Sequence, residues 1–246
     1  MKIYFLGTNG WYDSATGNTV CVLIEAKDQY LIFDAGNGLY KIDRYIRNNK
    51  PIKLFLSHFH LDHIIGLHIL NKFDFARGID VFGPRGLKKV FKLIINTPYS
   101  KPVSDIKTKI RLHELPTGKS RIGSIEFMPL KHTVYCLGYR AKLEGKTVAY
   151  CTDTGICKNL FDLAKGADML ITESSYLPGQ VDKSWPHLNP QDSARVAKEA
   201  KVKRLALLHF DASFYPTFKE RSWAEKCAKA IFNNSKAIKD DTVVTI

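Results

Sequence analysis

One stretch constrains this chain more than any other: residues 52–56 (Ile-Lys-Leu-Phe-Leu) run directly into Ser57-His58-Phe59-His60-Leu61-Asp62-His63. The apolar run reads as a buried strand, and helix-like periodicity follows over residues 64–70. Four potential metal ligands (His58, His60, Asp62 and His63) therefore fall within six residues. A strand that ends in a ligand-bearing loop fixes its first ligands on a rigid scaffold, where catalytic groups commonly sit. Imidazole nitrogen and carboxylate oxygen together suit zinc, iron or manganese, with no thiolate required. For a lone histidine, a hydrogen-bonding role would be the better explanation. Four ligands at this spacing favour a metal.

The rest of the chain repeats the pattern of an apolar run ending in a polar group. Residues 30–33 lead into Asp34-Ala35-Gly36, and residues 124–130 into Lys131-His132-Thr133. Residues 147–151 lead into Thr152-Asp153-Thr154-Gly155, and residues 204–208 into His209-Phe210. Further strands are expected over 2–8, 19–25, 79–82, 110–115, 137–143, 167–172 and 242–246. Helical spacing covers 39–48, 64–73, 87–95 and 222–233. Another helix is expected from Pro190 to about residue 200, with Asn189 as its N-cap and Pro190 at the first helical position. No internal repeat, low-complexity tract or linker interrupts this order, so residues 1–246 are expected to form a single domain.

His-x-His-x-Asp-His behind a hydrophobic strand resembles the signature of the metallo-β-lactamase superfamily. The Asp34-Ala35-Gly36 turn resembles that family's Asp-x-Gly turn. His132 followed by Leu137-Gly138-Tyr139-Arg140 is similar to its third motif in the phosphodiesterase branch, and Leu208-His209-Phe210 to its last. The likeness spans nearly the whole chain and implies an α/β fold of αββα type, a four-layer sandwich. It also implies a dinuclear site in which His58, His60 and His132 hold one divalent ion and Asp62, His63 and His209 hold a second. Asp153 would bridge them, since a carboxylate has two oxygens and can span cations about 3.5–4 Å apart. Zinc is the expected metal, with manganese or iron as alternatives. Asp34 would buttress the metal loop and Gly36 permit a tight backbone, neither acting as a ligand. A metal-bridging hydroxide would be the nucleophile, oriented by Asp62, at a site whose net charge near +2 attracts phosphate.

His187 lies outside that set. The layout Trp185-Pro186-His187-Leu188-Asn189-Pro190, then a helix, then Leu208-His209-Phe210 resembles the RNase Z-like branch, where this histidine contacts phosphate or protonates the leaving group. Glu173 could orient it, as carboxylates do for imidazole. Two departures stand out. Leu188 occupies a position where the branch usually has Ser or Thr, and only Thr133 to Thr152 separates His132 from Asp153, which leaves no room for the long protruding arm of tRNA-processing relatives. The resemblance implies a metal-dependent phosphodiesterase acting on RNA or tRNA ends or on a small, even cyclic, phosphodiester. Two alternatives stay open: a thioester or lactone hydrolase of the glyoxalase II type, and a non-enzymatic nucleic-acid or metabolite binder on the same fold. His68 and His113 match no motif and are expected to be structural.

Composition adds little to this. A net charge of +13 fits polyanionic partners, RNA among them, and fits a solvated basic surface equally well. No apolar run approaches the roughly 20 residues that cross a bilayer, so no membrane partner is expected. The opening residues read as a first strand rather than a signal-peptide core. Five cysteines, odd in number and without Cys-x-x-Cys spacing, suggest reduced thiols in a cytoplasm. A homodimer is expected.

Overall fold

Alternation within the strands decides the layering. In Lys2–Gly7, Ile3 and Phe5 face one way and Tyr4 and Leu6 the other, yet all four are buried. The same holds for Leu31 and Phe33 against Tyr30 and Ile32. A sheet that is apolar on both faces must be covered on both. In the computed structural model, which describes residues 1–246, that cover is a second sheet on one side and helices on the other. The second sheet is built alike: Tyr150, Ile171 and Leu208 point inward, while Ala149, Leu170 and Leu207 point out to their own helices. The result is the four-layer αββα sandwich. Its central layer packs Phe33 against Phe55 and Tyr150, with ring centroids 5.7 and 5.0 Å apart.

Each sheet has seven strands. In the first, Thr242–Thr245, Lys2–Gly7, Cys21–Glu25 and Tyr30–Phe33 pair antiparallel. Ile52–Phe55, Ile79–Gly83 and Ile110–Glu114 then continue it in parallel. The second runs Ser120–Ile122, Ile125–Leu130, Cys136–Leu143 and Lys146–Cys151 antiparallel, then Met169–Glu173, Leu205–Leu208 and Ser235–Ala237 in parallel. The two halves thus repeat one plan that has no counterpart in the sequence as a detectable repeat. In both, the parallel strands point their carboxyl ends at one edge of the sandwich, where open α/β sheets place their ligands.

Several elements depart from their expected form. The helix expected over 39–48 is a 3-10 helix, Asn37–Arg44. The one expected over 64–73 begins earlier, as a four-residue α-turn Leu61–Ile64 that passes into a 3-10 helix Ile65–Lys72. Asp62 and His63 therefore sit in a first helical turn rather than in a loop, with His60 as the N-cap residue. The segment packs closely on the Asp34-Ala35-Gly36 turn, where a Cβ on Gly66 would lie 2.1 Å from the Gly36 carbonyl oxygen. The last helix is Phe218–Lys229, set four residues earlier than 222–233 by a capping box between Thr217 and Glu220. The short helix Lys158–Ala164 and the strand Ser235–Ala237 have too few residues to show a period. Asn189 does cap Pro190–Glu199, accepting from the Asp192 N–H at 2.9 Å.

No helix is long and apolar enough to cross a membrane. All five cysteines are free.

Candidate active site

The expected ligands all lie at that one edge, four of them just past strand ends and His60, Asp62 and His63 on the helical turn and its N-cap behind His58. His58 follows Ile52–Phe55, His132 follows Ile125–Leu130, Asp153 follows Lys146–Cys151 and His209 follows Leu205–Leu208. Asp153 and His209 leave their strands in left-handed backbone, with φ of 57° and 52°, and so does Asp34 at 57°. Such conformations are uncommon outside glycine and concentrate at functional sites. Here they turn each side chain sharply out of its sheet.

The seven residues gather into two adjoining groups. His58, His60, His132 and Asp153 place one donor atom each within 4.8 Å of one another, and so do Asp62, His63 and His209. Asp153 stands between them. Its Oδ2 lies 3.7 Å from the Nε2 atoms of both His58 and His132, and its Oδ1 lies 3.3 Å from His63 Nε2 and 3.1 Å from His209 Nε2. One carboxylate oxygen thus faces each group, the geometry a bridging ligand needs.

The donor atoms fit cations better than they fit one another. His63 Nε2 and His209 Nε2 are 3.0 Å apart, and His60 Nδ1 and His132 Nε2 are 3.3 Å apart. Two neutral imidazole lone pairs at that distance repel unless a proton or a metal lies between them. His58 Nε2 and Asp153 Oδ1 are buried with no hydrogen-bond partner. Buried polar atoms are rarely left in that state.

Surrounding groups fix which imidazole nitrogen points inward. His63 Nδ1 is 2.9 Å from Asp34 Oδ2, His58 Nδ1 is 3.0 Å from Ser57 Oγ, and His209 Nδ1 is 2.9 Å from Ser175 Oγ. Each contact leaves Nε2 to the site, as outer partners of metal-bound histidines do. Asp34 is fully buried and spends its oxygens on protein, accepting from Ser57 N–H at 2.7 Å, Ser57 O–H at 2.9 Å and Tyr150 O–H at 2.7 Å. It is a buttress and is absent from both donor groups. Gly36 is equally constrained, for a Cβ there would fall 2.4 Å from the Asp62 carbonyl oxygen.

The electrostatics divide the site. Burial holds His58, His60 and His132 below the ordinary imidazole range, so they stand neutral and ready to donate a lone pair. Burial acts the same way on His63 and His209, but Asp153 outweighs it with help from Asp62, and both are raised. Burial pushes Asp153 up, yet His209 and His63 hold it well below the usual carboxylate range. Asp62 behaves likewise under His63 and His209, and its Oδ2 also accepts the Trp11 N–H at 2.8 Å.

His187 joins the same cleft. Its ring centroid is 5.1 Å from that of His132 and 6.0 Å from that of His209. Its Nδ1 lies 2.8 Å from Oε2 of Glu173, a fully buried carboxylate whose Oε1 accepts the Thr154 N–H at 2.5 Å. Burial pulls the imidazole down, but Glu173 and then Asp153 outweigh it, leaving the pKa at about 9. Leu188 packs into the outer core and offers no polar atom to a substrate. His60, Asp62, Asp153, His187 and His209 line a cavity of about 680 Å³ together with Trp11 and Trp185.

Some residues lie elsewhere. His113 stacks on Phe82 and pairs with Asp80 at 2.8 Å, and His68 is exposed with its Nδ1 on the Ile65 carbonyl. Cys151 faces the outer core, away from the donor groups. Nothing in the sequence marks Ser175, 34 positions from the histidine it orients. Nor does anything in it mark Gly10, where a Cβ would meet the His209 ring at 2.6 Å. Contacts so distant along the chain leave no local signal.

A set of histidines and aspartates at the open edge of an αββα sandwich, fit for divalent cations, defines a metal-dependent hydrolase. Residues 29–210 match the family model described as the beta-lactamase superfamily domain, and the chain belongs to that superfamily. It is similar to ribonuclease Z of Lacticaseibacillus casei, with 26% identity over 307 aligned positions that cover 100% of this chain and 95% of the relative. That alignment is longer than the 246 residues here, so the relative carries segments this chain lacks. Among solved structures, the metallo-beta-lactamase fold protein YhfI of Bacillus subtilis superposes with a TM-score of 0.81 at 24% identity, covering 99% of this chain and 98% of that one. The short form of human tRNase Z gives 0.78 at 22%, covering 100% and 99%. These two likenesses bear on the fold.

Proposed function

We propose that this chain is a dinuclear metal-dependent phosphodiesterase acting on RNA ends or on a small phosphodiester. The observation that carries the reading is the His187–Glu173 pair. A thioester hydrolase expels a thiolate, which leaves without a proton, whereas expulsion of an alkoxide from phosphate needs one. The resemblance to ribonuclease Z over the full chain supports the same reading.

His58, His60 and His132 would hold one ion, Asp62, His63 and His209 the other, and Asp153 would span the two. Zinc suits this nitrogen and oxygen set, as do manganese and iron. Bound there, the ions supply Lewis-acid charge to the phosphoryl oxygens and lower the pKa of water. Asp62, steadied by the Trp11 N–H, orients the attacking water. His187 has Nδ1 committed to Glu173, so its Nε2–H is the proton that meets the departing oxygen. The buried Glu173 raises that imidazole's pKa and so favours its protonated form.

The stretch between His132 and Asp153 is a plain hairpin, Cys136–Leu143 and Lys146–Cys151, closed by Glu144 and Gly145, both at positive φ. No arm projects from it. A large RNA would have to be gripped by the basic surface instead, and a small phosphodiester needs no such grip.

The test is a substrate panel with metal-loaded protein: bis-p-nitrophenyl phosphate, a thioester and a lactone. Turnover of the phosphodiester well above the other two is expected. Preference for the thioester or lactone would replace this reading with the glyoxalase-like one.

A further inference from the structure

Two tryptophans stand at the mouth of the cleft with about half or more of their surface exposed. Trp11 is 66% exposed and Trp185 is 49% exposed, and both line the cavity that contains the donor groups. Large apolar side chains scattered singly over a surface need no explanation. Two at one cavity, each fixed against a different half of the site, do.

Trp185 belongs to the first half. Its ring lies parallel to that of His60, with centroids 5.9 Å apart and planes 8° apart, and edge-on to His132 at 6.1 Å and 78°. The Tyr176 hydroxyl donates to its carbonyl and so anchors the backbone. Trp11 belongs to the second half. Its backbone N–H donates to Asp62 Oδ2, and its ring meets Tyr12 edge-on at 5.2 Å and 69°. It also sits at a φ of 68°, a left-handed conformation that a bulky residue rarely adopts. The chain thus tolerates strain to hold an exposed indole beside the metal loop.

A phosphodiester seated across the two donor groups extends one substituent toward each half. We infer that Trp185 and Trp11 are stacking platforms for the nucleobases of the nucleosides flanking the scissile phosphate, which makes the preferred substrate a nucleoside phosphodiester. Exposed aromatic faces beside a phosphate-binding cleft are the usual means of holding single-stranded nucleotides without reading their sequence. The inference rests on the phosphodiesterase reading and narrows it.

The test compares two esters with one leaving group, thymidine 5′-(p-nitrophenyl) phosphate and methyl p-nitrophenyl phosphate. Because the leaving group is shared, the proton-donation step cancels in their kcat/KM ratio. The wild-type chain should favour the thymidine ester. The double variant W11A/W185A should lose about 10- to 100-fold of that preference, the scale of one base stacked on an aromatic ring. W11F/W185F should keep most of it. An unchanged ratio in the double alanine variant would overturn the inference.

A second readout needs no turnover. The chain has three tryptophans, so Trp223→Phe leaves only Trp11 and Trp185 to report. Thymidine 5′-monophosphate should quench their fluorescence and ribose 5-phosphate should not. Equal effects of the two, or none from either, would also overturn the inference. Should the enzyme prove to act on thioesters, the quenching result still decides the stacking sites on its own.

Discussion

Replacing Glu173 with Gln isolates the proton-donor role of His187. The variant keeps the shape of the side chain, and its amide oxygen can still accept the Thr154 N–H, but the charge facing His187 Nδ1 is gone. Glu173 leads the causes that raise this imidazole, and burial acts against it. Without the carboxylate, the pKa should fall from about 9 toward or below the ordinary 6.5. A catalytic acid works only while protonated, so the alkaline limb of kcat should move down by about two pH units or more. With the pKa at 6.5, the protonated fraction at pH 8 would drop from roughly nine-tenths to a few per cent, a loss of roughly 30-fold, while at pH 6 the loss would be about 1.3-fold. The assay is kcat from pH 5.5 to 9.5 on a phosphodiester with an alkoxide leaving group, with metal content measured for each preparation. An equal loss at pH 6 and pH 8, with the limb in place, would refute the reasoning. The same linkage has a sign in stability. A raised histidine pKa stabilises the fold fully below about 6.5 and ceases to do so as pH rises through about 9. The difference in Tm between metal-free wild type and variant should therefore be largest near pH 6 and shrink toward pH 9.5.

Three further outcomes follow from the same geometry. Asp153→Asn should reduce elemental content from two divalent ions per chain and lower kcat by about 10²-fold or more, since its amide nitrogen cannot ligate; two retained ions with near wild-type turnover would remove the bridging role. His187→Ala should keep both ions and lower kcat by about 10²–10⁴-fold on poor leaving groups, but less on p-nitrophenyl esters, whose anion leaves unaided; equal rates on both classes would exclude it from the mechanism. Arg221 is a buried cation with no carboxylate partner, bonded to Thr8 at 2.9 Å, Thr16 at 3.1 Å and Asn9, and placed 4.6 Å over the Phe210 ring. Arg221→Ala should cost about 3 kcal/mol or more in urea unfolding, through the cavity and the stranded acceptors.

What the sequence could tell depended on how far apart the interacting residues lie. The His58 to His63 cluster was legible because its ligands are neighbours in the chain. The strands were legible as short apolar runs that stop at polar or turn residues, as Tyr30–Phe33 stops at Asp34. The four-layer order came from resemblance, and its physical reason, two apolar faces on each sheet, became plain only once inner and outer sets such as Tyr150 and Ala149 were seen apart. Short 3-10 segments were read as α-helices, because spacing does not separate the two over eight residues. Glu173, expected to orient His187, lies 2.8 Å from its Nδ1. The orienting roles of Ser175 and Tyr150 could not be seen, as each reaches its partner from 34 and 116 positions away.

The left-handed backbone at Asp34, Asp153 and His209 also limits what evolution or design can install at this edge. Glycine, asparagine, aspartate and histidine adopt that conformation most readily, and other side chains carry a penalty of about 1–2 kcal/mol. The backbone thus narrows the alphabet at each of these positions before any chemistry is chosen. A thiolate at position 153, the choice of many β-lactam hydrolases in the superfamily, would carry that penalty on this scaffold unless the turn were rebuilt with it. Exchange among the permitted residues stays nearly free of it, which is why Asp153→Asn reports on ligation where Asp153→Ala would mix ligation with strain. Retuning this centre to a different metal should therefore start at His58, His60 or His132, which lie outside the positive-φ set.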